Sequence, residues 1–423
     1  MQRALGLAFG VAVAVGGTVG VGILRRPGTV AELLPNGWAI LTIWTAGGIY
    51  AILGALCVAE LSTMMPRAGG FFVFAERAFG PSAGFAIGWC DWLANAAAVA
   101  YGAIASAELI TRFVPALHLW VHPIALMLAC LLCALQCVGV RASGRLQNLL
   151  SLLVCSAFVA LIAGCFLTGG PAAAPRNHSP LLMGAWVLAF RAVLVSYDGW
   201  YEPAYFSEES VDPGRTLPRS LVLGVLLVMS IYLLVNAGLL HVLSLSGLNG
   251  AELPVADAAR RIAGGWGDSL IVGLSLLALL PMTNASLLGG SRIFYGLGRD
   301  FMKWRDAVRV NRGGSPWVAT AVTAAFAAAL IATGTFDALL AMAGVFMIVL
   351  YCSAYASLIA LRIREPHVPR PYRLRAYPWI PGFLLLSGAA FLAAITFSDP
   401  RSTVAALAAM AVSYPVRRLL ERH

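Results

Sequence analysis

GGTVGVG at residues 16–22 and SYDGW at residues 196–200 each interrupt an apolar run long enough to cross a bilayer. A helix broken inside hydrocarbon strands backbone N–H and C=O groups, each costing several kcal/mol unless something binds them. Such a break persists where the freed groups line a cavity. Two breaks at matching places in two halves of a chain point to the solute site of a secondary transporter.

The remainder of the chain fits a membrane bundle. Of 423 residues 60% are hydrophobic and 11% charged, against roughly 25% charged in soluble domains. Twelve apolar stretches approach the ~20 residues needed to cross hydrocarbon: 5–24, 38–64, 83–112, 119–140, 147–168, 182–206, 217–241, 268–296, 316–334, 337–361, 379–397 and 402–416. No soluble domain or low-complexity segment fits between them. The first stretch reads as a span and not as a signal peptide, because it runs through its glycine break into a second half-helix.

The net charge of +10 raises the question of nucleic acid, but its distribution answers it. With the N-terminus cytoplasmic, 21 of the 29 Lys and Arg residues fall on the cytoplasmic side, seven outside, and Arg191 within a span. That is the positive-inside pattern, with both termini cytoplasmic in the cell membrane. The basic charge is topogenic, and no nucleic-acid partner is expected. The eight cysteines imply no disulfide framework. Cys130, Cys133 and Cys137 share a helix face without His or carboxylate beside them, so neither metal nor cofactor is expected.

In the first break, helix is expected from Leu7 to Val15 and again from Val21 towards Pro27, with Gly16, Gly17, Gly20 and Gly22 between. Amides at the start of the second half-helix suit an anion such as a carboxylate. Close helix packing through Gly16 and Gly20 is the rival reading. In the second break, Asp198 lies near mid-membrane, where an ionised carboxylate costs at least ~2.5–3.5 kcal/mol. It is expected to cap the resumed half-helix, with direct contact to a cation or carriage of a proton as the alternatives. Tyr197, Trp200 and Tyr201 either line the pocket or pack.

Other intramembrane polar groups stand apart from the breaks. Asp91 follows GWC in the third span, and Arg191 precedes Asp198 by two helical turns. Arg191 needs a partner, for which Glu108 is expected, as a static pair or an outer gate. Residues 249–264 form an amphipathic outer loop, read as lid or connector.

Five segments in order carry a resemblance: VGVGILRRPG (19–28), AELSTMMPRAGGFFVFAERAFGPSAGFAIGW (59–89), YDGWYEPAYFSEESVDPGRTLPRS (197–220), GGSRIFYGLGRD (289–300) and PYRLRAYPWIPG (371–382). Through them the chain resembles the amino acid–polyamine–organocation superfamily of transporters over nearly its whole length. The resemblance implies an all-α, LeuT-like fold of twelve transmembrane helices. Residues 1–168 and 182–361 would be inverted repeats of five helices, each led by a discontinuous helix, and 379–416 two extra helices. It implies transport of an α-amino acid by alternating access. Amides of Gly20, Val21 and Gly22 would take the carboxylate. Carbonyls around Val15, Gly16, Gly17, Thr18 and Val19, and around Val195, Ser196, Tyr197 and Asp198, would take the amino group. Glu60, Arg67, Glu208 and Glu209 would pair to close the inner gate.

Three positions depart from the family pattern. Val21 stands where many relatives carry Ser or Thr, Val195 where an aromatic lid is common, and Val154 where some place a lysine. Without that lysine, something else must compensate the carbonyls at the break. Sodium on Thr283 and Ser286 is one candidate, a proton on Asp91, Asp198 or Glu202 another, and uncoupled exchange a third. A polyamine or other organic amine is the alternative solute. A non-transporting amino acid sensor would need a larger cytoplasmic output surface than the short basic segments at 297–315 and 362–378. An enzyme is not expected, since no HExxH pair, Gly-x-Ser-x-Gly elbow or phosphate-cradling loop occurs.

Overall fold

The computed structural model describes residues 2–169, 183–302 and 304–422. Among these the fold is helical: α1 (Leu7–Thr18), α2 (Val21–Leu33), α3 (Gly37–Met64), α4 (Phe71–Phe79), α5 (Pro81–Phe113), α6 (Val121–Val138), α7 (Val140–Leu167) and α8 (Met183–Ser196). There follow α9 (Pro213–Val242), α10 (Leu245–Leu248), α11 (Pro254–Ala263), α12 (Gly267–Phe301), α13 (Trp317–Thr333), α14 (Phe336–Arg364), α15 (Trp379–Ser398) and α16 (Pro400–Arg422). Eight helical segments among the described residues are long and apolar enough to cross a membrane, and α1 and α2 reach that length and apolarity only as a pair, bent by 51°. The segments Gly184–Ser196 and Trp317–Thr333 are apolar but shorter. The stretch expected at 402–416 lies in α16, which fails the apolar criterion because Arg401, Arg417, Arg418 and Glu421 flank it.

The long helices pack in register with their sequence. Asn36 caps α3 by accepting from the Ala39 amide at 2.8 Å, which sets where that span begins. α12 runs beside α5 along the middle of the bundle, α3 and α1 both pack on α9, and α8 lies against α2 and α3. Pro281 sits inside α12 without ending it. The outer loop is built: α11 buries Val255, Ala256, Ala258 and Ala259 and packs on α2 and α12. At Gly28 of α2 an added Cβ would collide with the Ala251 carbonyl oxygen. The segment is therefore packed closely on α2.

At one end of the bundle the acidic groups are matched by arginines. Glu60, fully buried, receives Arg362 at 2.8 and 2.6 Å and the Leu374 amide at 2.7 Å. It also pairs with Arg370 at 3.0 Å. Glu209 takes Arg292 through two contacts of 3.1 and 3.2 Å, both side chains essentially inaccessible. Arg67 meets Asp300 at 2.7 Å, and Arg299 meets Glu208 at 2.8 Å. The chain start is tied to the same end, the amides of Ala4 and Leu5 donating to the Glu209 carbonyl and Val211 donating to Leu5. All four residues expected to pair at an inner gate thus do so, with partners on α12, α14 and the segment after it.

Removing one member of a buried ion pair strands the other charge and costs about 3–5 kcal/mol. Glu209→Ala should therefore lower the unfolding midpoint of the purified protein sharply, by an amount that Arg292→Met with Glu209→Leu largely restores. An unchanged midpoint in Glu209→Ala would show that the pair contributes nothing.

Candidate functional site

α1 continues to Thr18, almost one turn past its expected end at Val15, so Gly16 and Gly17 are helical. One or two helical glycines cost only about 1 kcal/mol each, less than unpaired backbone groups in hydrocarbon. The break is confined to Val19 and Gly20, both extended, and α2 starts at Val21. The Val15 carbonyl accepts the Val19 amide at 2.7 Å, which moves the end-of-helix acceptors to Gly16, Gly17 and Thr18. No side chain caps the start of α2, leaving its first amides without a side-chain acceptor.

The second break is wider. α8 stops at Ser196, the chain turns through Tyr197–Tyr201, and a short 3-10 turn spans Glu202–Phe206. Gly199 has φ +105°, a conformation that other residues resist. A Cβ there would lie 2.5 Å from the Gly17 carbonyl oxygen. The two breaks therefore touch, backbone on backbone. Higher up, Gly22 is packed onto Ser196, 3.3 Å separating an added Cβ from its Cα.

Tyr232 of α9 joins them. Its hydroxyl lies 2.9 Å from the Thr18 carbonyl and 2.8 Å from the Ser196 carbonyl. A phenol has one proton to donate, so one of these two carbonyls always retains free acceptor capacity. The hydroxyls of Thr18 and Ser196 are turned back onto their own helices, to Ala14 and Ala192.

Asp198 accepts from the Tyr351 hydroxyl of α14 at 2.5 Å and from the Gly199 backbone amide next to it. Asp91, buried on α5, accepts from Tyr205 at 2.7 Å and from Asn95 at 3.1 Å, and its other oxygen has no partner. Glu202 is buried against Gly17, with one oxygen likewise unpartnered. The three carboxylates lie within electrostatic reach of one another, and among the described residues no arginine or lysine pairs with any of them. Phe71, Trp200, Tyr205 and Tyr351 crowd around Tyr201 at ring separations of 4.9 to 5.7 Å.

Other expected contacts are not made. Arg191 and Glu108 form no pair: Glu108 is exposed on α5, while α8 packs on α2 and α3. The helix ends before Asp198, so the two-turn relation to Arg191 also lapses. Thr283 donates to its own Leu279 carbonyl at 2.7 Å and its side chain presses on Gly102 of α5. Ser286, three residues further along α12, is buried as well. Val195, Tyr197 and Trp200 border a cavity beside the second break, and Tyr197 donates to the Trp44 carbonyl at 3.0 Å.

A chain of amides escaped the sequence reading. Gln136 of α6 donates to Asn284 of α12 at 2.9 Å, and Asn284 donates to Gln147 of α7 at 2.7 Å. Gln147 reaches Ser151 at 3.3 Å, and Ser151 donates to the Ala12 carbonyl of α1 at 2.6 Å. Gly16 is the point of closest approach, where an added Cβ would stand 2.7 Å from Ser151 Oγ. Val154, two turns beyond Gln147, is buried carbon. The signal was present: Gln147 and Ser151 are spaced i, i+4, on one face of α7.

The amino acid permease family model matches residues 4–414. The serine/threonine exchanger SteT of Bacillus subtilis is 25% identical over 433 residues, covering 99% of this chain and 98% of its own. The human large neutral amino acids transporter small subunit 2 is 26% identical, over 98% of this chain and 80% of its own. The human b(0,+)-type amino acid transporter 1 is 26% identical, over 88% and 79%. With its touching helix breaks and its run of membrane-length apolar helices, this multi-pass membrane protein belongs to the amino acid permease family.

Proposed function

We propose that the chain carries an α-amino acid across the cell membrane by alternating access, with the solute held between the two breaks. The observation that carries this is the contact of Gly199 with the Gly17 carbonyl, which brings both sets of helix ends to one point. The carboxylate faces the amides of Gly20, Val21 and Gly22 at the positive end of α2, and the ammonium faces carbonyls ending α1 and α8. Residues 1–168 and 182–361 act as the two inverted repeats of a twelve-helix, LeuT-like bundle, with 379–416 added. The arginine-rich end is cytoplasmic, as the charge bias requires, and the paired Glu60, Glu208 and Glu209 hold it closed.

Proton coupling is the mode that the carboxylates favour. Three like charges cannot stay ionised together in a dry interior without a cation. Opening the bundle to water relieves that penalty, so protons leave when the site hydrates. Sodium has less support, because Thr283 faces α5 and the amide chain through Gln147 already serves α1. The same carboxylates favour a second solute reading, a cationic amino acid or polyamine. Competition by lysine or a diamine, against serine or leucine, separates the two.

Uptake of labelled amino acids into proteoliposomes tests the reading. Accumulation should follow an imposed proton gradient, inside alkaline, and ignore a sodium gradient. No uptake of any α-amino acid would sink it. Gly20→Leu should abolish uptake while leaving a normal elution profile, since a side chain there enters the carboxylate's space beside Met282; retained uptake would remove that position from the site. Replacing the two acids that each keep an unserved oxygen, Asp91→Asn with Glu202→Gln, should preserve exchange of solute for solute and erase gradient-driven accumulation. Accumulation surviving in the double variant would assign the proton elsewhere.

A further inference from the structure

Beside the second break lies a cavity walled by α3, α8, α14 and α15. Its walls are almost all carbon, with Val195, Trp200, Met347, Tyr351 and Phe391 among them. Arg191 is the single charged residue lining it. Arg191 stands five residues before the end of α8, roughly 7.5 Å along the axis from the break. Among the described residues it has no ion pair or hydrogen bond, and the exposed Asp399 influences it only through space.

A guanidinium set in an apolar wall at that depth calls for an anion, and its planar fork matches a carboxylate. We infer that this cavity binds a single-chain carboxylate from the bilayer, of the fatty-acid class, with its head on Arg191 and its chain along Trp200, Met347 and Phe391. The same chemistry, a carboxylate on an apolar body, also describes an apolar amino acid. The lining argues against that source, because it offers no acidic side chain to an ammonium. Its tyrosine hydroxyls are engaged as well: Tyr197 donates to Trp44, Tyr351 to Asp198, and Tyr50 accepts from Ser387. The occupant rests against Tyr351, the residue that holds Asp198, and so touches the transport site from behind.

Binding of tritiated laurate to the protein in phosphatidylcholine nanodiscs at pH 8 tests this. Wild type should show saturable binding that dodecanol fails to displace. Arg191→Gln should weaken it at least about tenfold, the loss of a charge-assisted bidentate pair. Gly344→Leu should abolish it, since an added Cβ at Gly344 meets nothing within 4 Å and the larger side chain fills the void without a clash. Unfolding midpoints like that of wild type check that both variants are folded. Absence of saturable binding, or equal binding by both variants, overturns the inference. Displacement of laurate by apolar amino acids also overturns it and gives the cavity to the solute's own route.

Discussion

An interrupted backbone in hydrocarbon must be satisfied, and the architecture is organised around that constraint. Each break alone would be a costly defect. Brought into contact at Gly17 and Gly199, the two share a small volume in which helix ends of opposite polarity converge. Tyr232 covers one carbonyl from each break but can serve only one at a time. The residual acceptor capacity is what a solute ammonium can use. The amide chain from Gln136 to Ser151 anchors α1 at Ala12, about two turns before the break.

The charged groups divide into two populations. At the basic end, Glu60, Glu208, Glu209 and Asp300 all have arginine partners, and the bonds run between helices that are distant in sequence. Such pairs break if their helices separate, which suits a latch. In the middle, Asp91, Asp198 and Glu202 have only tyrosines and amides, with two carboxylate oxygens unserved. Buried polar atoms without partners are rare in folded proteins. Here two such oxygens, on Asp91 and Glu202, lie close to the breaks.

Much of this was legible in the sequence, for reasons that are local. Glycine clusters within apolar runs betray both breaks, because few other sequences interrupt a span. The acidic and basic residues of the gate were legible through the motifs that hold them, although their partners Arg292 and Arg362 were not, since pairing across such sequence distances depends on packing. The end of α1 was misjudged: a helix tolerates Gly16 and Gly17 when its alternative is unpaired backbone. The pairing of Arg191 with Glu108 failed because Glu108 is exposed on α5 while α8 packs on α2 and α3. Tyr232 and Tyr351 escaped notice because a buried tyrosine in a span reads as packing until its hydroxyl is seen to meet a broken helix.

The central claim is that a solute's two charged poles are read by opposite helix ends at one point. The most direct measurement is thermal stabilisation of the purified protein by an α-amino acid, its methyl ester and its deaminated acid, compared at equal concentration. A ligand bound only to the folded state raises apparent stability by mass action, about 2.7 kcal/mol at a hundredfold excess over Kd. The account predicts stabilisation by the amino acid alone, because each analogue lacks one pole. Equal stabilisation by the ester or the deaminated acid would contradict it.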